Sequence, residues 1–137
     1  MSTSYDKNNI RRIFDEAVNQ RKYEVFDELM AADYVNYNMP LPVPGPEGMK
    51  AIIGMFINAF PDFRVDVIDV IADGDYFSSY GRFSGTHQGD FQGIPPTGKQ
   101  INATYVDFWH VVDGKLAENW VNIDTMGMMQ QLGVIPS

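Results

Sequence analysis

Two aspartates stand among aromatic residues in the run T-Y-V-D-F-W-H-V-V-D-G-K-L-A-E-N-W-V-N-I-D, which spans residues 104–124. A carboxylate packed against rings loses solvation. Its charged form is disfavoured, and its pKa rises toward the range where it can move protons at neutral pH. Asp124 is the first candidate for that work, because it ends a β-rich run carrying Trp120 and Asn122. Its other reading is an N-cap for the segment that follows, where Asp is favoured. Asp107 is the second. Two carboxylates in one pocket would drive their pKa values apart into an acid and a base; alternatively Asp107 sits at a rim or pairs with Arg82. His87, in G-T-H-Q-G, could shuttle a proton or hydrogen-bond a carbonyl, although such a histidine more often fixes a loop.

These residues need a scaffold, and Asp113-Gly114 supplies its turn. That pair suits a tight two-residue hairpin between two β-prone runs. With the pair as the turn, Val112 faces Lys115, Trp109 faces Glu118, Asp107 faces Trp120 and Tyr105 faces Asn122. Side chains alternate along a strand, so one face gathers Tyr105, Asp107, Trp109, Glu118, Trp120, Asn122 and Asp124. His110 falls on the other face with Val106 and Phe108, unless a β-bulge reverses it. Aromatic walls with a few polar groups read as a ligand cavity, which predicts a small hydrophobic molecule as partner. Tyr37 and Asn38 could add a hydroxyl and an amide. Arg82, in mid-strand, must be paired or reach water if it points inward.

The remaining periodicities place three helices ahead of the strands. Ile10, Ile13, Phe14, Ala17 and Val18 have helical spacing, as do Val25, Phe26, Leu29 and Met30, and then Met49, Ile52, Ile53, Phe56 and Phe60 up to Pro61. A brief strand is expected at Tyr34–Tyr37, before the proline-rich M-P-L-P-V-P-G-P. Strands follow over Phe63–Ala72 and Tyr76–Thr86, a Gly/Pro-rich connection over Gln88–Lys99, then the hairpin, and a closing helix over Thr125–Leu132. The order predicts an α+β domain over residues 1–137, with helices on the concave face of a curved antiparallel sheet.

The totals exclude several classes. A net charge of −8 argues against nucleic acid or an anionic membrane as the partner. With no cysteine and only two histidines, thiol chemistry is ruled out and a metal centre is not expected. No phosphate-binding loop, metal-ligand spacing or serine or cysteine nucleophile motif is present. The polar start M-S-T-S-Y-D-K-N-N lacks the apolar core of a signal peptide, and no run reaches membrane-spanning length, which predicts a cytoplasmic protein.

Several motifs together resemble the SnoaL-like polyketide cyclases, or ester cyclases, of the nuclear transport factor 2-like superfamily. They are G-x-x-G-M at Gly45–Met49, F-P-D at Phe60–Asp62, G-T-H-x-G-x-F-x-G-I-P-P-T-G-K at Gly85–Lys99, D-G-K at Asp113–Lys115, W-x-x-x-D at Trp120–Asp124 and Q-Q-L-G at Gln130–Gly133. The resemblance covers nearly the whole chain. It implies a cone around an internal pocket, a homodimer, and a cofactor-free intramolecular aldol condensation that closes a ring in a polyketide ester. In that chemistry a base removes an activated C–H, the enolate attacks a neighbouring carbonyl, and the acidified carboxyl returns the proton. The family's acid–base aspartate follows a tryptophan near the C-terminus and carries over to Asp124. An assisting histidine maps to His87, with His110 as the alternative. Two other readings stand beside it. One is a non-catalytic binding cone that dimerises through its sheet. The other is epoxide hydrolysis by an Asp-Arg-Asp set, which is incomplete here because Ser84, not a carboxylate, follows two residues after Arg82.

Overall fold

The computed structural model describes residues 6–136; residues 1–5, the first part of the polar start, lie outside them. Helix α1 (Lys7–Arg12) opens at Asp6, whose carboxylate accepts from the Asn9 amide at 3.2 Å. It runs directly into a π-helical stretch, Ile13–Val18, marked by the Asn19 amide bonding to the Phe14 carbonyl at 2.8 Å. The wider turn brings Ile13, Phe14 and Val18 to one internal cavity. Helix α2 (Glu24–Leu29) leads without a loop into strand β1 (Met30–Asn36). Helix α3 (Pro46–Ala59) starts with proline at its first position, and Met49, Ile52, Ile53 and Phe56 form one stripe facing the sheet.

Strands β2 (Arg64–Asp73), β3 (Tyr76–Thr86), β4 (Gln100–Val112) and β5 (Lys115–Ile123) form an antiparallel meander, closed by helix α4 (Thr125–Leu132). Both turn residues of the last hairpin, Asp113 and Gly114, have positive φ (52° and 75°), as the primed turn requires. The α+β cone expected from the sequence is therefore present. Two features differ. The first strand begins at Met30 rather than Tyr34, and it pairs in parallel with β5, making a five-stranded mixed sheet in the order β1-β5-β4-β3-β2. Such long-range pairing leaves no local sequence signal.

The second difference lies in the hairpin. Val112 does face Lys115 and Val111 faces Leu116, but His110 faces Glu118 and Trp109 faces Asn119. Ala117 is the extra residue, a β-bulge that shifts β5 by one position from there on. Asp107 consequently faces Val121 and Tyr105 faces Ile123. On β4 the buried residues alternate from Ile101 to Val111, so Tyr105, Asp107 and Trp109 point into the cone as expected. On β5 the inner side is Leu116, Asn119, Val121 and Ile123 rather than Glu118, Trp120 and Asn122. Among the described residues no helix is long and apolar enough to cross a membrane.

Candidate active site

Beneath the sheet lies a cavity of about 90 Å³, enough for more than one water-sized group. The α3 stripe, the π-helical stretch and Phe63, Val65 and Phe83 make most of its wall apolar. Its polar members are Asn36, Asn119, Tyr105 and Trp109. The two amides are already occupied. Asn119 Oδ1 accepts from Tyr34 Oη at 3.1 Å and from Asn36 Nδ2 at 3.0 Å, while its Nδ2 donates to the Phe108 carbonyl at 3.1 Å. Asn36 Oδ1 accepts from the amides of Asn38 and Met39. This network ties β1 to β5 and holds the entry to the proline-rich loop. Burial pushes the Tyr34 phenol up in pKa, so it stays a donor.

Asp107 lies between Tyr105 and Trp109 on β4, only 3% exposed. Its carboxylate accepts from the Ser79 amide at 2.7 Å and from the Ser79 hydroxyl, at 2.8 Å from one oxygen and 2.9 Å from the other. Ser79 Oγ is in turn 3.3 Å from the Tyr105 hydroxyl. Burial pushes Asp107 up to about 7, against the pull of the Ser79 hydrogen bonds and the nearby Trp109 indole, which favour the charged form. The indole Nε1–H has no well-formed hydrogen bond of its own, although it is fully buried and Trp109 borders the cavity. A carboxyl that titrates near neutrality beside a cavity is the arrangement acid–base chemistry uses.

The other expected site residues sit elsewhere. Asp124 is exposed and caps α4, its Oδ1 accepting from the Gly127 amide at 2.9 Å. A side chain at position 127 would collide with that carboxylate, so Gly127 permits the cap. The premise that Asp124 shares an inward face with Trp120 and Asn122 is corrected by the Ala117 bulge. His87 is fully buried but away from the cavity. Its Nδ1 is 3.0 Å from Thr97 Oγ1 and 3.2 Å from the Thr97 amide, its ring packs on Phe60 at 5.3 Å, and its backbone bonds to Lys99 and Gly98. That is the loop-fixing role. Trp120 lies on the outer face against Tyr37 at 4.9 Å and Phe108 at 5.7 Å. Asn122 meets Asn38 there at 3.3 Å, and Tyr37 Oη donates to Glu118 at 2.7 Å. His110 is outward as well, 2.7 Å from Glu118. Arg82 is exposed and bonds Asn102, not Asp107. Ser79 and Asn119 were missed by sequence reasoning. Asn119 becomes visible once Leu116, Val121 and Ile123 are required to share the inner face, because their numbering parity forces a bulge. Among the described residues, no group of three or more His, Cys, Asp or Glu could hold a metal ion.

A cone of this topology around an apolar cavity defines a class, and the chain belongs to it: residues 8–132 match the SnoaL-like polyketide cyclase family. Among proteins of known activity, the chain is 28% identical to the aklanonic acid methyl ester cyclase DnrD of Streptomyces peucetius, over 97% of this chain and 92% of that one. It is 27% identical to the corresponding cyclase DauD of Streptomyces sp. strain C5, over 90% and 79%. The solved structure of TsrD from Streptomyces laurentii superimposes with a TM-score of 0.85 at 25% identity, covering 96% of this chain and all of that one. IdmH from Streptomyces antibioticus gives 0.79 at 30% identity, over 92% and 96%. The neighbours share the nuclear transport factor 2-like fold.

Proposed function

We propose that the chain closes a ring in a small polyketide ester by cofactor-free intramolecular aldol condensation inside the cone. The observation that carries this reading is a protonatable carboxyl, Asp107, buried behind the wall of a largely apolar cavity. Forming an enolate and protonating an alkoxide both require a group that gains and loses a proton near neutral pH. Excluding water keeps the enolate from being quenched before it meets the second carbonyl. Asp124 and His87, the catalytic pair implied by family resemblance, lie away from the cavity: Asp124 caps α4, and His87 fixes its loop through Nδ1 while its buried Nε2 has no hydrogen-bond partner. The reading therefore gives the proton chemistry to the inner face of β4.

The test is incubation of the full chain with aklanonic acid methyl ester, the compound named for DnrD and DauD. The expected product is an isomer of unchanged mass with altered absorbance. If the ester quenches tryptophan fluorescence but is not converted, the non-catalytic binding cone becomes the better reading. The outward placement of Asp124 favours that alternative. Epoxide hydrolysis finds no support, because Arg82 lies on the outer face.

A second copy of the chain is the partner we propose for the convex face of the sheet. Tyr80, Val106 and Phe108 expose 45%, 47% and 43% of their surface there. Contiguous apolar area of that kind marks an interaction site. Sedimentation of Phe108→Arg against the parent chain checks it: the parent should run as a dimer and the variant as a monomer. A monomeric parent rejects the dimer.

A further inference from the structure

We propose that Tyr105, Ser79 and Asp107 form a proton relay opening on the cavity, in which the Tyr105 hydroxyl exchanges the proton with the bound molecule and Asp107 stores it. The inference rests on the cyclase reading and deepens it. Asp107 does not itself border the cavity; Tyr105 does. Among the described residues, the polar route between them runs through the Ser79 hydroxyl, 3.3 Å from Tyr105 Oη and 2.8 Å from Asp107 Oδ1. Ser79 has one hydroxyl proton, and the carboxylate takes it. Tyr105 must then be the donor in its contact with Ser79, which leaves the phenol oxygen free to accept from a ligand. The direction of the chain is thereby fixed as Tyr105 to Ser79 to Asp107.

The groups facing Asp107 are Ser79 from β3, Tyr105 and Trp109 from β4 and the Tyr34 phenol from β1, while Arg11 and Asp15 act on Tyr105. No cationic side chain hydrogen-bonds Asp107 among the described residues, so burial governs its charge, and it titrates at about 7. Burial likewise keeps the Tyr105 phenol neutral.

The step balances. With Asp107 ionised, the activated carbon gives its proton to the Tyr105 oxygen. The Tyr105 proton moves to Ser79, and the Ser79 proton moves to Asp107. The electron pair left on carbon delocalises as an enolate. That carbon then bonds to the second carbonyl, whose π pair becomes an alkoxide, and the relay runs backward to protonate it. One proton leaves and one returns, with no atom gained or lost.

The experiment measures kcat and KM against pH for the wild type, Tyr105→Phe and Ser79→Ala with aklanonic acid methyl ester. In parallel, it follows α-proton exchange of a simple β-keto ester in deuterium oxide by proton NMR. Tyr105→Phe is expected to lower kcat by about 100-fold or more with KM little changed. Ser79→Ala is expected to lower kcat as well, because it cuts the route from Tyr105 to Asp107, and to shift the ascending limb of the pH profile upward, because the lost hydrogen bonds favoured the carboxylate. A serine that only tuned the carboxyl would move the limb and leave the plateau rate unchanged. The relay is overturned if Tyr105→Phe keeps its rate at every pH, or if Ser79→Ala keeps the plateau kcat. Should Tyr105→Phe fail to fold, the Ser79→Ala profile decides alone. If the wild type exchanges the β-keto ester through Tyr105 but does not cyclise the methyl ester, only the ring-closure reading falls. If it does neither, the relay falls too.

Discussion

The two faces of the β4–β5 hairpin are made from the same stretch of chain yet do opposite things with their polar groups. On the inner face Asp107 and Asn119 are buried, and their side chains bond to neighbours inside the cone. On the outer face His110, Glu118 and Tyr37 form a comparable network, but in contact with solvent. Tyr37 and His110 hold the Glu118 carboxyl below its usual range, whereas burial holds Asp107 far above it. Partner-rich and wet, a carboxylate stays charged. Dry and uncompensated by a cation, it becomes a proton store. The contrast teaches that residue type does not assign chemistry here; the side of the sheet does.

The sharpest way to break the contrast is to take away the inner-face amide. Asn119→Leu leaves the Tyr34 hydroxyl and the Asn36 amide without their acceptor and the Phe108 carbonyl without its donor. Stranding buried polar groups in this way costs several kcal/mol. The expected outcome is loss of cooperative thermal unfolding and of near-ultraviolet circular dichroism. A variant that melts with the parent would refute the inner network as what ties β1 to β5.

Next in size is the pH dependence that Asp107 imposes. Its folded pKa, about 7, lies above the unfolded carboxylate value. The folded state therefore binds more protons between roughly pH 4 and 7, and stability from this group is greatest at low pH and lost as pH rises through that window. A shift of this size corresponds to roughly 4 kcal/mol. Urea unfolding of Asp107→Asn at pH 4 and pH 8 should show a much flatter dependence than the parent; equal slopes would contradict a buried, proton-storing carboxyl. Smaller is the effect of Asp124→Ala, which removes the α4 cap and should cost about 1 kcal/mol of stability by the same measurement. Its effect on turnover should fall well below that of Asp107→Asn. Smallest is Tyr37→Phe, which should raise the Glu118 pKa toward its ordinary value as read by carbon-detected NMR, with turnover unaltered.

Much of the frame was legible because its signals are local. Asp113-Gly114 announces a primed turn, Pro61 ends α3, and the spacing of Met49, Ile52, Ile53 and Phe56 specifies the stripe that lines the cavity. The inward set of β4 was also readable, since Tyr105, Asp107 and Trp109 alternate cleanly. The site misled at Ala117. Both faces of β5 carry large side chains, so Trp120 and Val121 each made a plausible inner residue, and a one-residue slip passed unnoticed. Asp124 looked catalytic because it follows Trp120 in a family-like motif, while the same position is where a helix N-cap belongs. Ser79 gave no signal at all. Its importance comes from facing Asp107 across the β3–β4 ladder, a pairing between residues far apart in the chain.

The parallel pairing of β1 with β5 also sets an order in time. Strand β1 is complete at Asn36, but the ladder it joins does not exist until β5 has been made, with Met30 opposite Leu116. At translation speeds the interval is on the order of 5–20 s. During it the cone lacks its β1–β5 side, and the apolar surface that this side covers is open to chaperones or to other nascent chains. Ribosome-bound chains halted after β4 should accordingly be cut by protease in the N-terminal third, and chains extended past α4 should resist. The last hairpin, made after the other strands, is what seals the cone.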